Sequence, residues 1–113
     1  MALKRIQVGN RMSQAVVHGD TVYTAGQVAQ GDTIAEQTEK ILAGIDALLA
    51  EAGTDKTKLI SATIWITNMD HFQEMNAVWD AWVAPGETPG RACVEAKLAS
   101  PKFDVEIAVI AAV

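Results

Sequence analysis

Thr88-Pro89-Gly90-Arg91-Ala92-Cys93-Val94-Glu95-Ala96-Lys97-Leu98 opens on a turn signal, Pro89-Gly90, and then alternates strictly between apolar and polar or reactive side chains. Successive strand side chains point to opposite faces, so Ala92, Val94, Ala96 and Leu98 share one side, and Arg91, Cys93, Glu95 and Lys97 the other. An apolar face is what a half-buried strand needs. The opposite face carries a guanidinium and a thiol two residues apart, just past a turn. The next run, Asp104 to Val113, is apolar at nearly every position except Glu106, and a sheet containing such a strand is expected to be covered on both sides. Arg91 then stands at the rim of something enclosed, with five fixed donors shaped for a carboxylate. A structural salt bridge is the competing reading of Arg91, and the pattern alone does not separate the two.

Working outward, Ala2 to Val8 reads as a short edge strand broken by Gly9-Asn10. Gln14 to His18 and Thr21 to Ala25 are two β-rich runs joined across Gly19-Asp20, the composition of a two-residue hairpin turn. Gly26 ends the second run, and Val28 to Asp32 is loop. Thr33 to Ala52 is a long helix: Thr33 and Glu36 have the spacing of a capping box, and Ile34, Ile41, Leu42, Ile45, Leu48, Leu49 and Ala52 fall on one stripe. Gly53 stops it.

From Lys58 to Thr67 the period changes to two, with Ile60, Ala62, Ile64 and Ile66 on one face and Ser61, Thr63, Trp65 and Thr67 on the other. A second helix runs from about His71 to Val83, with Asp70 as the expected N-cap and Phe72, Met75, Trp79, Trp82 and Val83 as its buried stripe. Asn76 lies on that stripe and is expected to make a structural hydrogen bond, since a buried amide needs partners.

The order β-β-β-α-β-α-β-β predicts an α+β domain spanning residues 1–113, with both helices on one face of a mixed sheet. Glu106, Ala108, Ile110 and Ala112 then present a row on the face the helices leave open. The chain has no third helix to cover it, so another copy of the chain is the simplest cover.

Composition excludes several classes. The formal net charge is −5, and no basic run is present, which argues against binding by phosphate neutralisation and so against nucleic acid as a partner. One cysteine excludes an internal disulfide, and no Cys/His group has metal-site spacing. No apolar run approaches the ~20 residues of a membrane helix, and the N-terminus lacks the apolar core of a signal peptide. A cytoplasmic protein is the expectation.

The segment Gly90-Arg91-Ala92-Cys93-Val94-Glu95, with Pro101 and Val105-Glu106-Ile107 after it, resembles the signature of the RidA/YjgF family, small deaminases that hydrolyse reactive imines and enamines. Ser13-Gln14-Ala15-Val16 is similar to the family's Tyr-Ser-Gln-Ala-type N-terminal segment, and Thr24-Ala25-Gly26-Gln27 to its Thr-Ser-Gly-Gln turn. Met75-Asn76-Ala77-Val78-Trp79 is similar to its Asn-bearing second helix. The likeness covers almost the whole chain and is greatest to a shorter, YoaB-like subgroup.

This resemblance implies a chorismate-mutase-like fold and a homotrimer whose sheets line a central barrel, with three equivalent clefts between subunits. It implies hydrolysis of 2-imino or 2-enamino acids to 2-keto acids and ammonia, without a cofactor. A non-catalytic module that binds small carboxylates is the alternative.

Within that reading Arg91 binds the substrate carboxylate and Glu106 handles the proton of the attacking water. Cys93 and Gly26 are pocket members. A nucleophilic role for Cys93 is disfavoured, because neither His18 nor His71 has an evident route to it and imine hydrolysis needs no thiolate. Two positions depart from the family pattern: its Tyr before Ser-Gln is Met12 here, and its Ser before Gly26 is Ala25. Both changes remove a hydroxyl from the expected pocket.

Overall fold

In the computed structural model, which describes residues 2–113, the elements follow the order the periodicities predict: β1 (Leu3–Val8), β2 (Ser13–His18), β3 (Thr21–Thr24), α1 (Ile34–Ala52), β4 (Leu59–Ile66), α2 (Phe72–Trp82), β5 (Gly90–Glu95) and β6 (Val105–Ala112). The strands form one sheet in the order β1-β2-β3-β6-β4-β5. Every neighbouring pair is antiparallel except β4 and β5, which run parallel because α2 carries the chain back between them. β1 and β5 are the two edges. The molecule measures 43 × 37 × 19 Å along its principal axes, and the thin direction holds one sheet and one layer of helices.

The two faces of β6 set this architecture. Val105, Ile107, Val109 and Ala111 are fully buried beneath the helices, against Ala62, Ile64 and Ile66 of β4, the stripe of α1, and Met75 and Trp79 of α2. Glu106, Ala108, Ile110 and Ala112 alternate with them and stay half-buried on a face that no helix covers. Tyr23 and Val94 are 46% exposed on that same face, where Tyr23 pairs with Ile110 and Val94 with Trp65.

The helix signals in the sequence correspond to real caps. Thr33 Oγ1 accepts from the Glu36 N–H at 3.1 Å. The return bond of the capping box closes one residue early, since Glu36 Oε2 accepts from the Asp32 N–H. That backbone bond, followed by the Lys40 ammonium, holds the Glu36 carboxyl below its usual range. Gly53 ends α1 at φ 88°, a conformation that favours glycine, and its N–H returns to Ala50 and Leu49.

Two local expectations are corrected. Asp70 is not the cap of α2: Asn68 Oδ1 accepts from the Asp70 N–H, opening a 3₁₀ turn over Met69–His71 that runs into the helix. In β4 the register shifts between Leu59 and Ser61, so Leu59 joins the core and Ile60 is 51% exposed. A bulge inserts one residue and so exchanges faces.

A buried glutamine that the apolar stripe does not announce fixes the entry into β6. Gln37 Nε2 donates to the Gly31 and Lys102 carbonyls, while its Oε1 accepts from the Asp104 N–H at 2.8 Å. Two residues later in the strand stands Glu106.

Candidate functional site

Arg91 lies on edge strand β5, opposite Ala62 of β4, and so on the side of the sheet that faces the helices. The strand is shorter than the alternation from 91 to 98 suggests, ending at Glu95. Its apolar residues also take the less expected side: Ala92 and Val94 lie on the open face, while Arg91 and Cys93 lie towards α2. The Arg91 guanidinium sits over two rings of that helix, 5.4 Å from the centre of Trp79 and 5.9 Å from that of Phe72. Among the described residues the ion pairs are Lys40–Glu36 and His71–Glu74, so Arg91 is in none. The structural salt bridge that competes as a reading of Arg91 is absent among the described residues.

Glu106 is also outside those pairs, so among the described residues neither Arg91 nor Lys97 engages it in a structural ion pair. Its carboxylate packs onto the Cα of Gly26: a β-carbon added there would collide with Glu106 Oε2 and lie 2.7 Å from the carboxyl carbon. The approach arises because β3 stops at Thr24, and Gln27 then rejoins β6 by exchanging two backbone bonds with Ile107, 2.8 and 3.1 Å long. Ala25 and Gly26 span the gap. Gln27 Nε2 holds the span by donating to Gln14 Oε1 and to the Ala25 carbonyl. On its other side Glu106 pairs with Trp65 of β4.

The expected site residues therefore fall into two groups. Gly26 and Glu106 touch on the open face, with Ala25 beside them and Met12 44% exposed in the β1–β2 turn. Arg91 and Cys93 lie on the opposite face, with β4 standing between their strand and that of Glu106. Two strand spacings amount to about 10 Å before the thickness of the sheet is added. One chain does not bring these groups together.

Burial raises the Cys93 thiol pKa, with the nearby Arg91 charge opposing that shift. The thiol is thus the neutral species at pH 7, consistent with a space-filling role. Asn76 lacks the hydrogen bond expected of it, as its Oδ1 is buried without a partner among the described residues. Trp65, Gln14, Gln27 and the Phe72–Trp79 pair are the neighbours that pattern reading left unassigned. Period-two and helical spacing could place each on a face, but not beside a particular charge.

Among the described residues no cluster of three or more His, Cys, Asp or Glu could hold a metal ion. No helix among the described residues is long and apolar enough to cross a membrane.

The family model described as Endoribonuclease L-PSP matches residues 2–113. The RutC family protein YoaB of Escherichia coli is 42% identical over 114 residues, covering 100% of both chains. A crystal structure of a YjgF-family protein from Neisseria meningitidis matches with a TM-score of 0.97 at 46% identity, covering 99% of this chain and 95% of that one. Another, described as a putative translation initiation inhibitor from Salmonella typhimurium, gives 0.90 at 38% identity, covering 99% and 98%. A family match along the whole described chain and a full-length relative of that similarity place this protein in the RidA/YjgF family, on its YoaB-like branch.

Proposed function

We propose that this protein hydrolyses 2-imino acids, and 2-enamino acids once protonated at their β-carbon, to 2-keto acids and ammonia. One observation supports the reading: the sheet holds two opposite charges, Arg91 and Glu106, and neither is used by an ion pair among the described residues. A free guanidinium suits the substrate carboxylate, because its planar fork orients the neighbouring C=N carbon. A free carboxylate suits the water. Glu106 takes a proton as the water oxygen bonds to that carbon, and the proton passes to nitrogen. The carbinolamine then collapses: Glu106 relays the hydroxyl proton to nitrogen, the C–N bond breaks, ammonia leaves and C=O forms.

Because the two charges occupy opposite faces of one sheet, the working site is composite. Arg91 and Cys93 come from one copy, and Glu106 with Gly26, Ala25 and Met12 from a second. The half-buried row Ala108, Ile110 and Ala112, with Val94 and Tyr23 beside it, is the surface that further copies cover. A homotrimer, as the family resemblance implies, closes three such sites. The native particle is expected at about three times 12.1 kDa by sedimentation or light scattering, and to persist at micromolar concentration. A stable monomer would leave Arg91 and Glu106 without a common substrate.

The Gly26–Glu106 contact gives a second expectation. Gly26→Ala places a methyl where the carboxylate now lies, and the flexible side chain swings aside with little cost to folding. Turnover should fall on the order of tenfold or more while melting temperature stays near wild type. Unaltered turnover would show that the position of Glu106 is unimportant.

The activity is tested by generating an imine from an amino acid and trapping it with semicarbazide. The protein should lower the semicarbazone yield and raise free 2-keto acid. Binding of 2-keto acids without that acceleration would favour a carboxylate-binding module, a reading supported by the missing hydroxyls at Met12 and Ala25. Some relatives carry names for RNA cleavage or translation inhibition, but a net charge of −5 is poorly suited to a polyphosphate chain.

A further inference from the structure

We infer that Phe72 and Trp79 are positioning residues for Arg91, an aromatic platform that holds the guanidinium without neutralising it. The inference rests on Arg91 as the carboxylate anchor. An arginine held by an internal carboxylate would have its in-plane donors already engaged. An aromatic face attracts the cation through the ring quadrupole and leaves those donors free. Arg91 has the second arrangement, over Trp79 at 5.4 Å and Phe72 at 5.9 Å.

The two rings stand seven positions apart on α2, and so on one face of the helix. The platform is itself fixed. Trp79 is 5% exposed and meets Trp82 at 5.4 Å between ring centres, tilted by 51°. The Trp82 indole N–H donates to Asp46 Oδ2 at 3.0 Å, which ties the rings to α1. A relay of contacts thus runs from Asp46 through Trp82 and Trp79 to an otherwise exposed guanidinium at the sheet edge. Two large aromatics and, among the described residues, no counter-ion stand there, as suits an arginine reserved for an external carboxylate.

The test uses the assembled protein titrated calorimetrically with 2-oxobutanoate, with particle size and melting temperature measured on each variant. Phe72→Leu and Trp79→Leu, which keep bulk and lose the ring, should raise Kd roughly 5- to 30-fold. Phe72→Tyr and Trp79→Phe, which keep a ring, should stay within about threefold of wild type, a rescue that loss of packing alone would not give. If Trp79→Leu does not fold, the Phe72 pair decides, because Phe72 is only partly buried. Leucine variants that bind as tightly as wild type would overturn the platform and leave the anchor standing. The same holds if ring-keeping variants weaken binding as much as leucine does. A wild-type protein that binds no 2-keto acid would remove the anchor, and the platform's purpose with it.

Discussion

Arg91→Lys should weaken binding of 2-oxobutanoate or pyruvate about 30- to 150-fold, the equivalent of losing 2–3 kcal/mol of charge-assisted bidentate contact. Lysine keeps the charge, and its ammonium can still lie over Trp79 and Phe72. What it loses is the planar pair of donors. Because Arg91 makes no ion pair among the described residues, the substitution has no such bridge to break, and folding should be little affected. Titration calorimetry reads the first effect and thermal unfolding the second. Equal affinity in the two proteins would mean that position 91 supplies charge alone, and the deaminase reading would lose its substrate anchor.

Glu106→Gln should lower turnover on the order of 10²-fold while leaving assembly and 2-keto acid affinity close to wild type. Glutamine preserves the volume packed against Gly26 but removes the charge, and with it the ability to take a proton. Steady-state hydrolysis of an enzymatically generated imine, set beside the binding curve, separates the two roles. A drop in affinity with undiminished turnover would make Glu106 a binding group. Unchanged turnover with a lower melting temperature would make it a structural one.

Much of the fold was legible because its signals are local. Thr33, Glu36 and Gly53 mark the ends of α1 by bonds formed within a few residues. The alternating positions of β6 mark a central strand, buried beneath the helices on one side and half-buried on the other. Less legible was anything set by pairing. Alternation fixes that Arg91 and Ala92 point apart, but only the parallel register with β4, Arg91 against Ala62, decides which of them meets the helices. The bulge at Leu59 and Ser61 reversed Ile60 for the same reason. Asn68 displaced Asp70 as a cap because a 3₁₀ turn precedes α2.

The candidate residues could be picked from sequence, but their grouping could not. Gly26 reaches Glu106 only because Gln27 rejoins β6 after β3 has stopped. Arg91 finds Trp79 and Phe72 only through the crossover of α2.

The placement of Arg91 and Glu106 on opposite sides of one sheet has a genetic consequence. If each site takes its arginine from one copy and its glutamate from the next, an arginine-deficient chain and a glutamate-deficient chain are complementary defects. Each alone forms an inactive particle. Mixed into the same trimer, in either ratio, they restore one intact site of the three. Random equal mixing leaves about three quarters of the particles hybrid, so two inactive proteins, unfolded and refolded together, should recover about a quarter of wild-type activity. A site built wholly within one chain would recover none.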